Sequence, residues 1–441
     1  MNGPEQQRLT MGKLAAFFVP LGLSSSLITI SHVIINSTLA RSSDPEVTIA
    51  SYAIGISMIG VIERPAVLLR QTCSALVRDR TSFHAMGLVA IYLLIAMFGL
   101  GLVISYTPVG TLLFVHVFGA EADMLGAILG VFRILMFVGI FSGIRCLYHG
   151  IIISHMKTKW LTIGMAIRLT AMYGLSVYFI QTDSVTSGKV GAIIFLTGMI
   201  IEALISFLEG SKLARSLPLK KEQHTIEKPS HILRFYRPLL FSSLIAVVVA
   251  PAINAMLGKT FDAKLAIASF AIAGSLTQLV TSFFSYLHQI VLNFYNKDPA
   301  LVLRFVTLCS IIPTVLLSIV SYTAIGPWFM EHVMGVNERL MEQSLHALRV
   351  FVLFTLLFPW LDFCNGLIML RGQTMAMLYS QAANVTITLC ALFACIALVP
   401  GWNGMIGSLC QSLGVAAELF IVLRVIRSSR LDARRQATPS I

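Results

Sequence analysis

The sequence predicts an all-α polytopic membrane protein with twelve transmembrane helices arranged as two parallel six-helix repeats. Three observations carry the prediction. The chain is 56% hydrophobic and 12% charged, against roughly 25% charged residues in an ordinary soluble domain. It divides into twelve apolar runs near the roughly 20 residues needed to cross a bilayer as a helix. Its second half also repeats its first: residues 20 to 54 recur 218 positions later without a gap, so that Pro20, Ser24, Asn36 and Ser51 match Pro238, Ser242, Asn254 and Ser269. After a two-residue contraction the offset becomes 216 and pairs Arg133, Gly150, Gly198 and Glu202 with Arg349, Gly366, Gly414 and Glu418. Repeats of 20 to 50 residues would indicate a solenoid, whereas a copy of this length indicates a transporter that works one half against the other.

In chain order the spans are expected near 13–39, 47–76, 84–106, 124–153, 159–181, 188–213, 232–258, 264–294, 301–325, 341–370, 375–399 and 403–426. Continuous apolar runs specify helices, because barrel strands alternate over about 10 residues. Six spans per half is an even number, so the second half enters the membrane with the orientation of the first and the repeats are parallel. The expected organisation is an amino-terminal lobe over 1–214, a polar linker over 215–230, a carboxy-terminal lobe over 231–426 and a mobile basic tail over 427–441. Between spans 3 and 4, and again between 9 and 10, the matched segments Val115–Gly119 and Glu331–Gly335 are too short to cross and are expected as interfacial helices.

The formal charge of +12 would suggest nucleic acid were the basic residues not sorted by side. Twenty Lys and Arg fall in or beside the loops of one membrane face and five on the other, with the remaining seven inside spans. That asymmetry places both termini in the cytoplasm. The expected partners are the lipid bilayer and a small-molecule substrate, with no nucleic acid and a monomeric chain. The expected location is the inner or plasma membrane.

Four groups of residues add a resemblance: Ala50–Ser51–Tyr52 opening span 2, Arg78–Asp79–Arg80–Thr81 in the next loop, Leu348–Arg349–Val350–Phe351 in span 10, and Glu418 in span 12. With the matched Pro and Ser of spans 1 and 7, the chain resembles the multidrug/oligosaccharidyl-lipid/polysaccharide (MOP) flippase superfamily, which includes the multidrug and toxic compound extrusion (MATE) transporters. Within it the chain is most similar to the progressive ankylosis (ANK) family. The resemblance implies two six-helix lobes in a V around a cavity that opens alternately to each side. It further implies export of organic or phosphate-bearing anions in the ANK branch, or ion-coupled drug export in MATE proteins. One departure bears on coupling: many MATE proteins carry an acidic residue in span 1, where this chain offers His32 and Asn36.

An ionised group at the bilayer centre costs roughly 2.5 to 3.5 kcal/mol on insertion scales, so each one is a functional candidate. In span 2, Glu63 and Arg70 share a helical face while Arg64 points about 100° away, and Pro65 is expected to bend the helix. Span 4 carries Arg145 and His149 four apart, and span 10 carries Asp362 and Asn365 three apart, so each pair shares a face. These seven residues are the candidates for substrate binding or gating, with interhelical polar packing as the alternative. An Arg145–Asp362 ion pair that makes and breaks as the lobes rock is one arrangement they permit. Glu202 and Glu418, with Asn36 and Asn254, are candidates for coupling to H+ or Na+. A salt bridge of Glu202 to Arg168, or simple helix bridging by the asparagines, is the competing reading. Arg133 and Arg349 repeat at equivalent positions, which favours a structural charge anchoring carbonyls.

No phosphate loop, zinc-protease helix or Cys/His metal spacing occurs. No cofactor, metal site or enzymatic activity is therefore expected, and the driving force should be a gradient. The sequence reads as a secondary-active exporter of a small organic or phosphate-bearing anion, or an amphipathic compound, working by alternating access. The alternatives are a flippase for a lipid-linked phosphate and a non-transporting scaffold.

Overall fold

The computed structural model describes residues 9–39, 41–43, 45–117, 124–222, 224–257, 260, 262–332 and 338–437. Among them the regular structure is entirely helical. Among the described residues eleven helices or helix pairs are long and apolar enough to cross a membrane, and a twelfth if α2 (Pro45–Ile62) and α3 (Arg64–Leu76), bent by 42° at Glu63, form one span. The amino-terminal spans are completed by α1 (Met11–Leu39), α4 (Arg80–Tyr106), α6 (Leu125–Leu135) with α7 (Val138–Ser154), α8 (Lys159–Gln181) and α9 (Lys189–Arg215). Their counterparts are α10 (Pro229–Leu257), α11 (Ala263–Ser282) with α12 (Leu287–Phe294), α13 (Pro299–Tyr322), α15 (Glu338–Leu370), α16 (Met375–Leu398) and α17 (Gly404–Ala437).

The bend in span 2 has a local cause. Pro65 has no amide hydrogen to donate back along the helix, so it fits without loss in the first turn of a new one. The chain accordingly ends α2 at Ile62, uses Glu63 as the cap residue and restarts with Pro65 near the first position of α3. Span 10 also contains a proline, Pro359, yet α15 runs on through it.

Two compact units result: Leu23–Leu240, and Met1–Gly22 with Phe241–Ile441. Helix α1 thus begins in one unit and ends in the other, and so does α10. In the second unit Phe17 packs edge-on against Phe294, and Phe18 against Phe283 and Phe305. In the first, Tyr236 donates its hydroxyl to the Pro65 carbonyl at 2.8 Å. Each unit has its own apolar core. Tyr52, Ile59, Phe132 and Leu135 are central to one, and Phe270, Leu348 and Phe351 to the other. Tyr52 matches Phe270 at the 218 offset, and Phe132 and Leu135 match Leu348 and Phe351 at 216, so the repeat extends to the packed interior.

The short helices after spans 3 and 9 begin earlier than expected. One runs from α5 (Pro108–Leu112) into a π-helical turn over Leu113–Val117, and the other, α14, covers Ile325–His332. The rest of the expected segments, 118–119 and 333–335, lies outside the described residues. Thr107 and Thr323 explain the shift: each hydroxyl accepts from the amide two residues on, at 3.3 Å, and so starts a new helix at once. The basic segment after Arg427 also departs from expectation. Helix α17 continues through it to Ala437, because Leu431, Ala433, Arg434, Arg435 and Ala437 favour helix whether or not membrane surrounds them.

Within the expected linker, residues 217–221 are held by the Arg78–Thr81 loop. Arg80 donates its backbone amide to Pro218 at 2.9 Å and its Nε to the Leu217 carbonyl at 3.0 Å. Thr81 Oγ1 donates to Leu219, and Asp79 Oδ2 accepts from the Lys221 amide at 3.1 Å. Asp79 also caps α4, accepting from the Ser82 amide at 2.8 Å and its hydroxyl at 2.7 Å.

Candidate functional site

In the unit Leu23–Leu240, five ionisable side chains meet inside the helix bundle. Helix α7 supplies Ser142, Arg145 and His149, spaced three and four apart and therefore on one face. It packs against α3 and α9, and α9 packs against α8. Arg145 Nη1 lies 3.2 Å from Glu202 Oε1, and Arg168 Nη1 lies 2.7 Å from Glu202 Oε2. His149 Nε2 is 3.9 Å from Glu202 Oε1. At the break in span 2, Glu63 Oε1 accepts from the Ser142 hydroxyl and lies 3.7 Å from Arg145 Nη2. Ser142 in turn accepts from Arg145 Nη2 at 3.3 Å. Glu202 and Arg168 are 1% exposed, His149 4% and Arg145 7%, which puts the cluster in the interior rather than on a solvated surface.

Burial at this level removes the hydration of each charge, so the cluster holds only because opposite charges meet within it. Compensation is incomplete. Among the described residues Arg145 Nε, His149 Nδ1, and Arg168 Nε and Nη2 are buried without a hydrogen-bond partner, a rare condition in folded proteins. Part of the deficit at Arg168 is met by the Phe195 ring, whose centroid lies 5.1 Å from the guanidinium carbon. His32 stacks on the same ring at 5.7 Å.

The repeat supplies a control within the same chain. In the second unit Glu418 is 6% exposed and accepts from Asn384 Nδ2 at 2.6 Å. Thr388 donates to Asn384 Oδ1 at 3.2 Å. Asn384 stands at the position of Arg168, offset by 216. The helices reach each other through matched glycines one turn before each glutamate. A Cβ at Gly198 would lie 3.1 Å from Arg168 Cγ, and one at Gly414 would lie 3.0 Å from the Asn384 carbonyl oxygen. Both lobes thus join a carboxyl to the neighbouring helix, one through two cations and the other through a neutral amide.

Other expected site residues fall elsewhere. Arg145 takes both its carboxylates within its own unit. Asp362 pairs with His288, whose backbone amide donates to Oδ2 at 2.9 Å and whose Nδ1 lies 3.0 Å from Oδ1. Asn365, at the repeat position of His149, also has a buried atom, Oδ1, without a partner among the described residues. Arg64 is exposed, Arg70 is half-buried, and Asn36 and Asn254 are both exposed. Neither asparagine bridges helices through its side chain among the described residues. Arg133 and Arg349 have twin surroundings: their Nε groups donate to the Ser105 and Ser321 carbonyls at 3.4 and 3.2 Å, and their guanidinium carbons lie 5.0 and 5.3 Å from the Tyr106 and Tyr322 rings. Among the described residues no group of three or more His, Cys, Asp or Glu is placed to hold a metal ion.

Sequence reasoning did not single out Ser142, Phe195 or Asn384. The 216 offset applied to Arg168 would have found Asn384, and helical spacing from Arg145 would have found Ser142.

No family model and no curated protein matches the chain. Solved structures do. A MOP superfamily transporter from Pyrococcus furiosus Vc1, described as having a binding pocket of reverse polarity that suggests a different function, superposes with a TM-score of 0.75 at 16% identity over 96% of both chains. An outward-facing multidrug resistance MATE family transporter gives 0.76 at 15% identity, over 96% of this chain and 97% of the other. A MATE structure in the bent conformation gives 0.73 at 16% identity over 97% of both. At this identity the likeness speaks for the fold: the chain is a polytopic, all-helical integral membrane protein with the fold of the MATE transporters of the MOP superfamily.

Proposed function

We propose that this chain is a secondary transporter, nearest the progressive ankylosis branch, that moves a small organic or phosphate-bearing anion outward by alternating access. Both termini lie in the cytoplasm and the membrane is the inner or plasma membrane. The observation that carries the reading is the charge cluster around Glu202. The carboxy-terminal unit builds the equivalent helix contact with Asn384 and, among the described residues, no cation, so packing alone does not require Arg145, Arg168 and Glu63. Intramembrane charges that packing does not require mark a substrate or ion pathway.

Within the cluster the partners are unequal, and this suggests a division of labour. Arg168 and Glu202 form the short, fully buried contact and fix the lobe. Arg145 is also held by Glu63, more loosely, at 3.7 Å and at a helix break. An entering anion would take the place of Glu63 on Arg145, with exposed Arg64 on the adjoining turn adding attraction. Exchanging one carboxylate for an anionic substrate keeps Arg145 paired throughout, so no buried charge is stranded during the exchange.

Coupling is assigned to Glu418. A proton added to Glu202 would strand two buried guanidinium groups, whereas Glu418 faces only an amide, which accepts either protonation state through a single hydrogen bond. Purified protein in liposomes should exchange labelled citrate, pyrophosphate or nucleotide under a pH gradient. Counterflow of cationic dyes without any anion flux would overturn the anion reading, and a short-chain lipid phosphate in the same assay tests the flippase alternative.

A further inference from the structure

A second feature of the unit Leu23–Leu240 lies apart from the charge cluster. Helices α4, α7 and α9 enclose a groove of about 740 Å³. Its walls are Leu88, Ile91 and Leu94 of α4 and Phe207 of α9, and Gly143 and Leu147 of α7 form part of its floor. Its basic residues gather near one end: Arg80 and His84 in the first turns of α4 and Arg215 in the last turn of α9, with Ser211 of α9 and Tyr148 of α7 as the other polar lining. No carboxylate lines it.

The geometry matches one bilayer leaflet. Arg80 opens span 3 and Arg215 closes span 6, so both mark the same membrane boundary, on the face that carries the excess of basic loops. From Arg80 to Leu94 the helix rises about 21 Å at roughly 1.5 Å per residue. That equals a headgroup layer and one half of a hydrocarbon core about 30 Å thick. Ile91 and Phe207 are 53% and 44% exposed, so the groove opens outward along its apolar length. Arg80, His84 and Arg215 are exposed. The Arg215 side chain makes no hydrogen bond or ion pair with a described residue, and Arg80 spends only Nε and Nη2 on the Leu217 and Arg215 carbonyls.

We propose that this groove is a binding site for one phospholipid with an anionic headgroup. The phosphate sits between Arg80, His84 and Arg215, and an acyl chain lies along Leu88, Ile91 and Leu94. The bound lipid closes the outer face of α7, the helix that carries Arg145 and His149, and ties the Arg80 clamp on the linker to the membrane surface. The site does not depend on what the protein transports.

The glycines offer a test that leaves the packing intact. A Cβ at Gly87, which lines the groove, meets nothing within 4 Å, so the side chain of G87F starts in open space and is expected to fill part of the groove. The full-length protein would be released from nanodiscs of mixed phosphatidylcholine and phosphatidylglycerol, and its retained lipid read by native mass spectrometry. Wild type is expected to keep one phosphatidylglycerol in preference to phosphatidylcholine. G87F should lose it, and R215Q should lower the preference about fivefold, as expected for one basic residue near an anionic headgroup. Thermal unfolding of both variants in detergent should match wild type, which separates loss of the site from loss of the fold. Equal retention of both lipids by wild type, retention unchanged by G87F, or displacement of the lipid by inorganic phosphate alone would overturn the proposal.

Discussion

Arg168 and Asn384 stand 216 positions apart at one place in the repeat, and each donates to the glutamate 34 residues ahead of it, at 2.7 Å to Glu202 and 2.6 Å to Glu418. One design is therefore executed once with a cation and once with an amide. The two glutamates should respond differently to the same substitution.

Glu202→Gln removes the only negative charge bridging Arg145 and Arg168 while leaving both guanidinium groups buried. Breaking a buried pair in this way costs roughly 3 to 5 kcal/mol, and the variant should unfold at clearly lower temperature in detergent. Arg168→Asn copies the other lobe and leaves Arg145 to balance Glu202, so its loss should be smaller. The reverse order of stability would show that Arg145 does not compensate.

Glu418→Gln keeps a side-chain acceptor facing Asn384, and stability should change by about 1 kcal/mol or less, the net scale of one hydrogen bond. Flux in liposomes should persist down the substrate's own gradient and cease to respond to a pH gradient. A variant that still follows the proton gradient would remove Glu418 from coupling.

Asp79 gives a pH dependence with a definite sign. Burial opposes its charge, but hydrogen bonds from the Ser82 hydroxyl and amide and from the Lys221 amide outweigh it and hold the carboxyl below its ordinary range. Its contribution is complete above the unfolded value and is lost as pH falls through the lowered folded value. Hydrogen exchange at the Lys221 amide, corrected for intrinsic rate, should therefore accelerate on strong acidification. In Asp79→Ala, which lacks a cap worth about 1 kcal/mol, exchange should be fast at every pH.

Gly198 and Gly414 should not tolerate alanine equally. At Gly198 the new Cβ lies 2.6 Å from Met172 Sδ, in a flexible side chain that can move, whereas at Gly414 it meets the Asn384 backbone and the Asn384–Thr388 pair. Overpacking costs typically 1 to 3 kcal/mol. Gly414→Ala should fall at the upper end by thermal unfolding and Gly198→Ala at the lower.

The spans were legible in the sequence because a helix in lipid must be continuously apolar, and their ends agree with the structure within a few residues: 159–181 for span 5 and 375–399 for span 11 match Lys159–Gln181 and Met375–Leu398. The break at Glu63 was legible from Pro65, whose missing amide has a local effect. Partnerships were not. Arg145 lies on a helical face that spacing reveals, but whether it meets Glu202, Glu63 or Asp362 depends on how helices rotate against one another, which local pattern does not encode. The pairing of His288 with Asp362, 74 residues away, is hidden from local pattern for the same reason. The 216 offset carried long-range information the apolar pattern lacked: it placed Glu202 opposite Glu418 and Arg133 opposite Arg349. Followed one residue further, it would have exposed the exchange of Arg168 for Asn384.

The division of α1 between two bodies has a consequence for biogenesis. Met11–Gly22 leave the ribosome long before Phe283, Phe294 and Phe305 are made, so the first helix must wait, its leading turns undocked, until the second half has been threaded into the bilayer. Pro229–Leu240 have the opposite history and find a finished surface ready for them. A gene cut within the linker would deprive each fragment of its neighbour's opening turns, and two co-expressed fragments should recover what neither achieves alone.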